Sequence, residues 1–506
     1  MKTLATAAAA LAMPAGVLAQ GQKFTREVVT NAAKELASTP FTPLEMAPEG
    51  LRNLSYEQYR RIVYRRGAAI WGGTPTRFSV EMFAPGSVYN NSVRVSVVES
   101  GEAFVVPIDD TTFEVRTEDI ENPEELALMS GVGEMLESLG RVAGFRLHYP
   151  LNTPEINDEF VVFQGASYFR AVSRGQKYGM SARGLAIDVA EPSGEEFPAF
   201  TEFWIERPSS RADSIVVHAL LDSPRCTGAY RFGIYPDDPT RMDIEATLFA
   251  RATLNHVGLG ALTSMYMFGE MDRAETPDYR DAVHDSVGLA MLTGGGESLW
   301  RPLQNPRDLQ VSSFVDQSPQ GFGLAQRDRS FASYQDVDVF YHDRPSTWVV
   351  PNGDWGPGHV VLVEIPTPFE GNDNIVAYWR PASPIEPGTP FRFGYQLRWP
   401  NDTPLPRELG RVTRSAYSMK LGTGLPQMVI DYTSLPEGVD VAAIDFHTSV
   451  SAGVHLETIG QPLGDNAVRA FVTFDPQGAR MAEIRLQPMH QGVVIGETWL
   501  FRWLAS

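Results

Sequence analysis

Apolar residues recur at two different periods along this chain. In three early stretches the period is helical. From Phe24 to Ala37, Val28, Val29, Ala32, Ala33 and Leu36 share one face, which predicts a helix. From Ser55 to Arg65, a Ser cap precedes Tyr59, Ile62 and Val63 on one side. From Pro123 to Leu139, proline opens the pattern and Glu124 and Glu125 occupy the first turn, where they complement the helix dipole.

Elsewhere the period is two. Arg77–Phe83 alternates, as does Met242–Ala250, with Met242, Ile244, Ala246 and Leu248 on one face. Phe391–Trp399 alternates again, and Val360–Ile365 is apolar enough for a strand buried on both faces. Turns rich in Gly, Pro, Asn and Asp separate these segments. The pattern predicts a mainly β protein built from sandwiches. The polar, proline-rich stretch from Pro400 to Pro406 marks a boundary. Residues 22–399 then form one large β-sandwich domain, 400–408 a linker, and 409–506 an immunoglobulin-like sandwich. Its expected strands include Gln427–Thr433, Val441–Thr448, Val454–Thr458, Val468–Phe474, Met481–Gln487 and Val493–Trp503.

Composition narrows the partners. The chain of 506 residues has a formal charge of −20, so it lacks the basic footprint that nucleic acid or an anionic membrane surface requires. It holds 9 Trp, 17 Tyr and 27 Phe, a supply that suits a sugar-binding cleft and a large β-core equally. The first residues read as an export signal: Lys2, an apolar run from Leu4 to Leu18, then Ala19 before Gln20. Cleavage after Ala19 is expected, with the mature protein in a periplasm. The run is shorter than the roughly 20 residues of a spanning helix. Cys226 is the single cysteine, which excludes an intramolecular disulfide and cysteine-cluster metal sites.

The chain has no Gly-x-Ser-x-Gly elbow, P-loop, His-Glu-x-x-His or Cys-x-x-Cys. Carboxylates are the remaining currency, and glycoside hydrolysis needs two of them: an acid for the leaving oxygen and, in inverting enzymes, a base for water. One candidate stretch is Tyr279–Leu289, with Asp281 and the cluster His284-Asp285-Ser286. The other is Glu370–Trp379, where Asp373 precedes an apolar strand whose burial is expected to raise the pKa of an acid. Either cluster also suits a plain turn. Between them, Trp300 and Arg301, then Arg327 and Arg329, are candidates to stack on and bond to sugar hydroxyls. Equally, Trp300 is a core residue and the arginines neutralise acids.

These stretches carry a family resemblance. Phe163–Ala171, Gly175–Asp188, Gly194–Pro198, Tyr279–Ser286, Glu297–Leu303, Pro319–Leu324, Arg344–Ser346 and Asn372–Trp379 resemble, in order, the periplasmic glucan biosynthesis proteins G and D. The match spans nearly the whole mature chain. It implies a large sandwich of the galactose-mutarotase type followed by an immunoglobulin-like one. It also implies an anomer-inverting endo-β-1,2-glucanase that shapes osmoregulated periplasmic glucans. The family's general acid falls on Asp373 and its base on Asp285. Tyr341 and Glu370 match positions close to the reaction centre. Simple inverting enzymes separate their carboxyls by about 6.5–9.5 Å; here the resemblance implies a longer proton relay through a substrate hydroxyl and waters. The same residues would run transglycosylation to a cyclic glucan if a sugar hydroxyl replaced water. A non-catalytic scaffold for the inner-membrane synthase is the alternative from another class. No metal or organic cofactor is implied, and a homodimer is left open.

Overall fold

In a computed structural model, residues 21–506 are described, apart from 274–276, 405, 407, 465 and 506. The expected signal segment, residues 1–19, lies outside the described residues. The fold is mainly β, as the period-two pattern requires. Two large sheets dominate. The first has 16 strands and runs from the edge strand Gln22–Lys23 through Ile215–Asp222, Cys226–Tyr235, Arg241–Ala250 and Phe391–Arg398 to Gly288–Leu292 and Ser298–Pro302. The second has 10 strands, with Pro357–Glu364, Ile375–Pro381 and Val257–Ser264 side by side near one edge.

The two sheets bury an aromatic core between them. Phe163 meets Phe232 at 5.1 Å between ring centroids and Phe145 meets Phe203 at 5.0 Å, both edge to face. Cys226 is fully buried here, and burial pushes its thiol up to about 12, so it is a packing residue.

The first sheet does not stop at the proline-rich stretch. Ser298–Pro302 pairs in parallel with Thr498–Leu504, and Met481–His490 and Asp445–Val450 follow. Against these lies a separate four-stranded sheet, in the order Arg411–Met419, Pro426–Thr433, Val468–Asp475, Val454–Pro462. Ile430, Val472, Ile484 and Trp499 fill the space between. That cluster also takes in Trp300 and Ala290 from the large sheet, so the C-terminal strands share a core with what precedes them.

The helices depart from expectation in two places. The first runs Arg26–Ala37, close to the pattern. The second covers only Tyr56–Tyr59, capped by Ser55 with Gln58 bonding back. Ile62–Tyr64 is instead a strand paired with Phe113–Val115, where β-branched side chains pack well. The third is two helices, Pro123–Ser130 and Val132–Leu139, separated at Gly131, a poor helix former. Asn122 caps the first by accepting from the Glu124 and Glu125 amides. In the C-terminal part, Val441–Ala443 is a 3₁₀ turn before strand Asp445–Val450, and Arg411–Met419 is a strand the pattern did not mark.

Candidate active site

One short backbone segment lies between the two candidate acids. Strand Val257–Ser264 is buried along its length and pairs with Ile375–Pro381, with Ser264 opposite Ile375. The chain continues through Met265 into Tyr266–Phe268, which pairs with Val283–His284. On one side, the Asp285 amide donates to the Met265 carbonyl at 2.8 Å. On the other, the Asn374 side chain behaves like a missing strand partner. Its Oδ1 accepts from the Tyr266 amide at 2.8 Å, and its Nδ2 donates to the Tyr266 and Ile365 carbonyls at 2.9 and 3.0 Å. Asp285 and Asp373 therefore flank residues 265–266, Asp285 through its own amide and Asp373 through its neighbour Asn374.

The two carboxyls have different surroundings. Asp285 is 4% exposed, and the Arg344 guanidinium donates to its Oδ1. Burial pushes the Asp285 carboxyl above the ordinary aspartate value; Arg344 opposes that shift and the charge of Asp373 adds to it. Asp373 is solvent-exposed on the turn that leads into Ile375–Pro381, so the burial expected of it is not present. Its charge reaches Tyr168 as well as Asp285.

Tyr341 and Glu370 meet. The buried Tyr341 hydroxyl donates to Glu370 Oε2 at 2.8 Å, and burial, then Glu370, raises its pKa. Arg280 Nη1 donates to the same oxygen at 2.9 Å and to Asp336 at 3.2 Å, while its Nη2 donates to Asp278 at 2.9 Å. Arg344 ties the two halves together, since its guanidinium lies 4.5 Å from the centre of the Tyr341 ring. Beneath the site, His284 is buried and stacked on Tyr266 at 5.3 Å, and burial pushes it down to about 4, so it is neutral. Ser264 and Ser286 share a 2.6 Å hydroxyl contact. Exposed aromatic rings stand next to these residues: Phe369 beside Glu370, Tyr279 beside Arg280, and Phe197 over Arg183, whose Nε donates to Thr263.

Other sequence candidates lie elsewhere. Trp300 is 3% exposed, packed in the Trp499 cluster with the Arg327 guanidinium 3.6 Å from its ring centre. Arg301 is buried in an ion pair with Glu364 at 3.1 Å. Arg327 forms a two-bond pair with Glu497, and Arg329 donates to the carbonyls of His342, Arg344 and Asn401. Asp281 is exposed and paired with Arg273. For these residues the neutralising and core readings describe what the side chains touch. Arg344, Arg280 and Asn374 were not singled out from sequence. All three stand inside the resembling blocks, and only the strand register separates them from their neighbours.

Residues 24–503 match the family described as periplasmic glucan biosynthesis protein, MdoG. The chain is similar to glucans biosynthesis protein G 2 of Shewanella oneidensis, 47% identical over 96% of this chain and 89% of the relative. It is similar to glucans biosynthesis protein G of Vibrio cholerae, 43% identical over 95% of this chain and 87% of the relative. The protein of that name from Shewanella frigidimarina is 41% identical over 96% and 85%.

Proposed function

The chain belongs to the periplasmic glucan biosynthesis protein family, and from that premise we propose that it is an anomer-inverting endo-β-1,2-glucanase of the periplasm. The observation that carries the reading is the pair of unlike carboxyls flanking residues 265–266. Asp373 stands open on a turn, where a glucan chain can reach it. Asp285 is buried against Arg344 with a raised affinity for protons. An inverting hydrolase needs two carboxyls, one to protonate the leaving oxygen and one to deprotonate water.

In the proposed reaction Asp373 gives its proton to the glycosidic oxygen as the bond to the anomeric carbon breaks. Water attacks that carbon from the opposite face, and its proton passes to Asp285, through a substrate hydroxyl and waters where the carboxyls are too far apart for one water. Glu370, held by Tyr341 and Arg280, offers an acceptor for a sugar hydroxyl beside the acid. Phe369, Tyr279 and Phe197 offer flat faces to sugar rings. Arg344 orients Asp285 and opposes its protonation.

The test is cleavage of linear β-1,2-glucan by wild type and by Asp373→Asn. The wild type is expected to shorten the polymer, and the variant to lose about 10²–10⁴-fold in rate. Equal rates would remove Asp373 from the mechanism. Products lacking added water would move the reading to transglycosylation, and an intact polymer to a binding scaffold.

A further inference from the structure

A cavity of about 740 Å³ lies on the far side of the Asp285 strand, within the size range of small-molecule sites, about 300–1,000 Å³. Its walls come from two parts of the chain. One wall is the segment that builds the candidate active site, including Tyr266, Asp281 and His284. The other is the strand Arg411–Met419 from the C-terminal four-stranded sheet. Successive side chains of a strand point to opposite faces, so His284 lines this cavity while its neighbour Asp285 meets Arg344.

The lining chemistry specifies a class of ligand. Three of the lining arginines are ion-paired: Arg414 with Glu270 at 2.9 Å and Arg273 with Asp281 at 3.2 Å, both partners in the lining, and Arg327 with the buried Glu497, outside the lining, at 2.7 Å. A net-charged ligand gains less where a lining charge already has a partner. Hydroxyl groups still gain, because each donates to a carboxylate and accepts from a guanidinium at once. Among the described residues Arg411–Met419 has one strand neighbour, Pro426–Thr433, and its other edge faces this wall, where Val412 and Tyr417 already bond to Glu497, Arg327 and Glu270. Two of the ion pairs are at least a third exposed on both partners, so solvent or a ligand reaches them.

We propose that this cavity is a second carbohydrate site, separate from the Asp285–Asp373 site, that holds a short neutral oligosaccharide between the large sheet and the C-terminal edge strand. The identification of that oligosaccharide as β-1,2-glucan rests on the glucan reading above; the cavity and its preference for a neutral polyhydroxylated ligand do not.

The experiment is calorimetric titration of the purified protein carrying Asp373→Asn with short linear β-1,2-gluco-oligosaccharides. Two binding events are expected. Ala416→Trp, which fills the cavity from the edge strand, should remove one of them. Arg414→Ala, at the exposed rim, should weaken the same event about tenfold. It keeps the test valid if the larger side chain disturbs folding. Binding that neither variant changes, or no binding, overturns the proposal. Cleavage by wild type separates the two readings. A protein that never cuts the polymer but loses a binding event with Ala416→Trp upholds the second site and fails the glucanase. One that cuts the polymer and ignores both cavity variants does the reverse.

Discussion

A buried carboxylate is costly unless a cation faces it, and Asp285 has Arg344 in that position. Opposed influences act on its proton: burial, then Asp373, raise its pKa, and Arg344, with a smaller contribution from Arg170, lowers it. A base works only when ionised, so activity should fall as pH drops through the Asp285 pKa, on the high side of the usual aspartate range. Arg344→Gln removes the larger of the two opposing charges, the other being Arg170, while keeping donors. The acid limb of the pH–rate profile is then expected to move to higher pH. A limb that stays in place, or moves down, contradicts the role given to Arg344. Sequence could not reveal this residue. Its number is 59 positions from Asp285, and nothing but the fold brings them together.

At the scale of elements, the site is a problem of strand registration. Asn374 supplies three hydrogen bonds that a strand backbone would otherwise make. Asn374→Ala leaves the Tyr266 amide without its partner, a loss of about 1–3 kcal/mol. It also frees the turn that carries Asp373. The melting temperature should drop, and kcat should fall by about tenfold or more with KM much less affected, because misplacement of a catalytic group is paid in rate. Full kcat in a protein with a lowered melting temperature would make Asn374 purely structural.

The strands that build this geometry were legible from alternation, as Arg241–Ala250 and Phe391–Arg398 illustrate. The helix over 55–65 misled because Ile62 and Val63 satisfy either period in so short a stretch. The glycines of the Pro319–Leu324 block, taken with candidate sugar contacts, serve packing: a side chain at Gly323 would collide with the Thr347 carbonyl of the crossing backbone. Tyr341 and Glu370 became candidates through family resemblance, not spacing, since a side-chain hydrogen bond joins residues 29 positions apart without local trace.

At the scale of the molecule, C-terminal strands continue the first large sheet, and their own core takes in Ala290, Trp300 and Trp348 from it. The Arg327–Glu497 pair locks that junction: both side chains are nearly inaccessible, and Glu497 also accepts from the Val412 amide at 2.8 Å. Glu497→Ala would leave Arg327 buried with only the longer Asp402 contact, at 3.4 Å, to balance its charge. A loss of about 3–5 kcal/mol is expected, seen as a clear fall in the denaturation midpoint. An unchanged midpoint would show that the junction contributes little. The linker expected at 400–408 reflects local composition correctly, with Pro400, Pro404 and Pro406 close together. Composition does not disclose that Ser298–Pro302 and Thr498–Leu504 pair across it.

The central claim is inversion by two carboxyls of unlike environment. Its most direct test is the anomeric configuration of newly formed reducing ends, followed by NMR during cleavage of linear β-1,2-glucan before mutarotation mixes the anomers. The account predicts that α ends appear first and that Asp285→Asn and Asp373→Asn both suppress them. β ends appearing first would contradict it, whatever the rate.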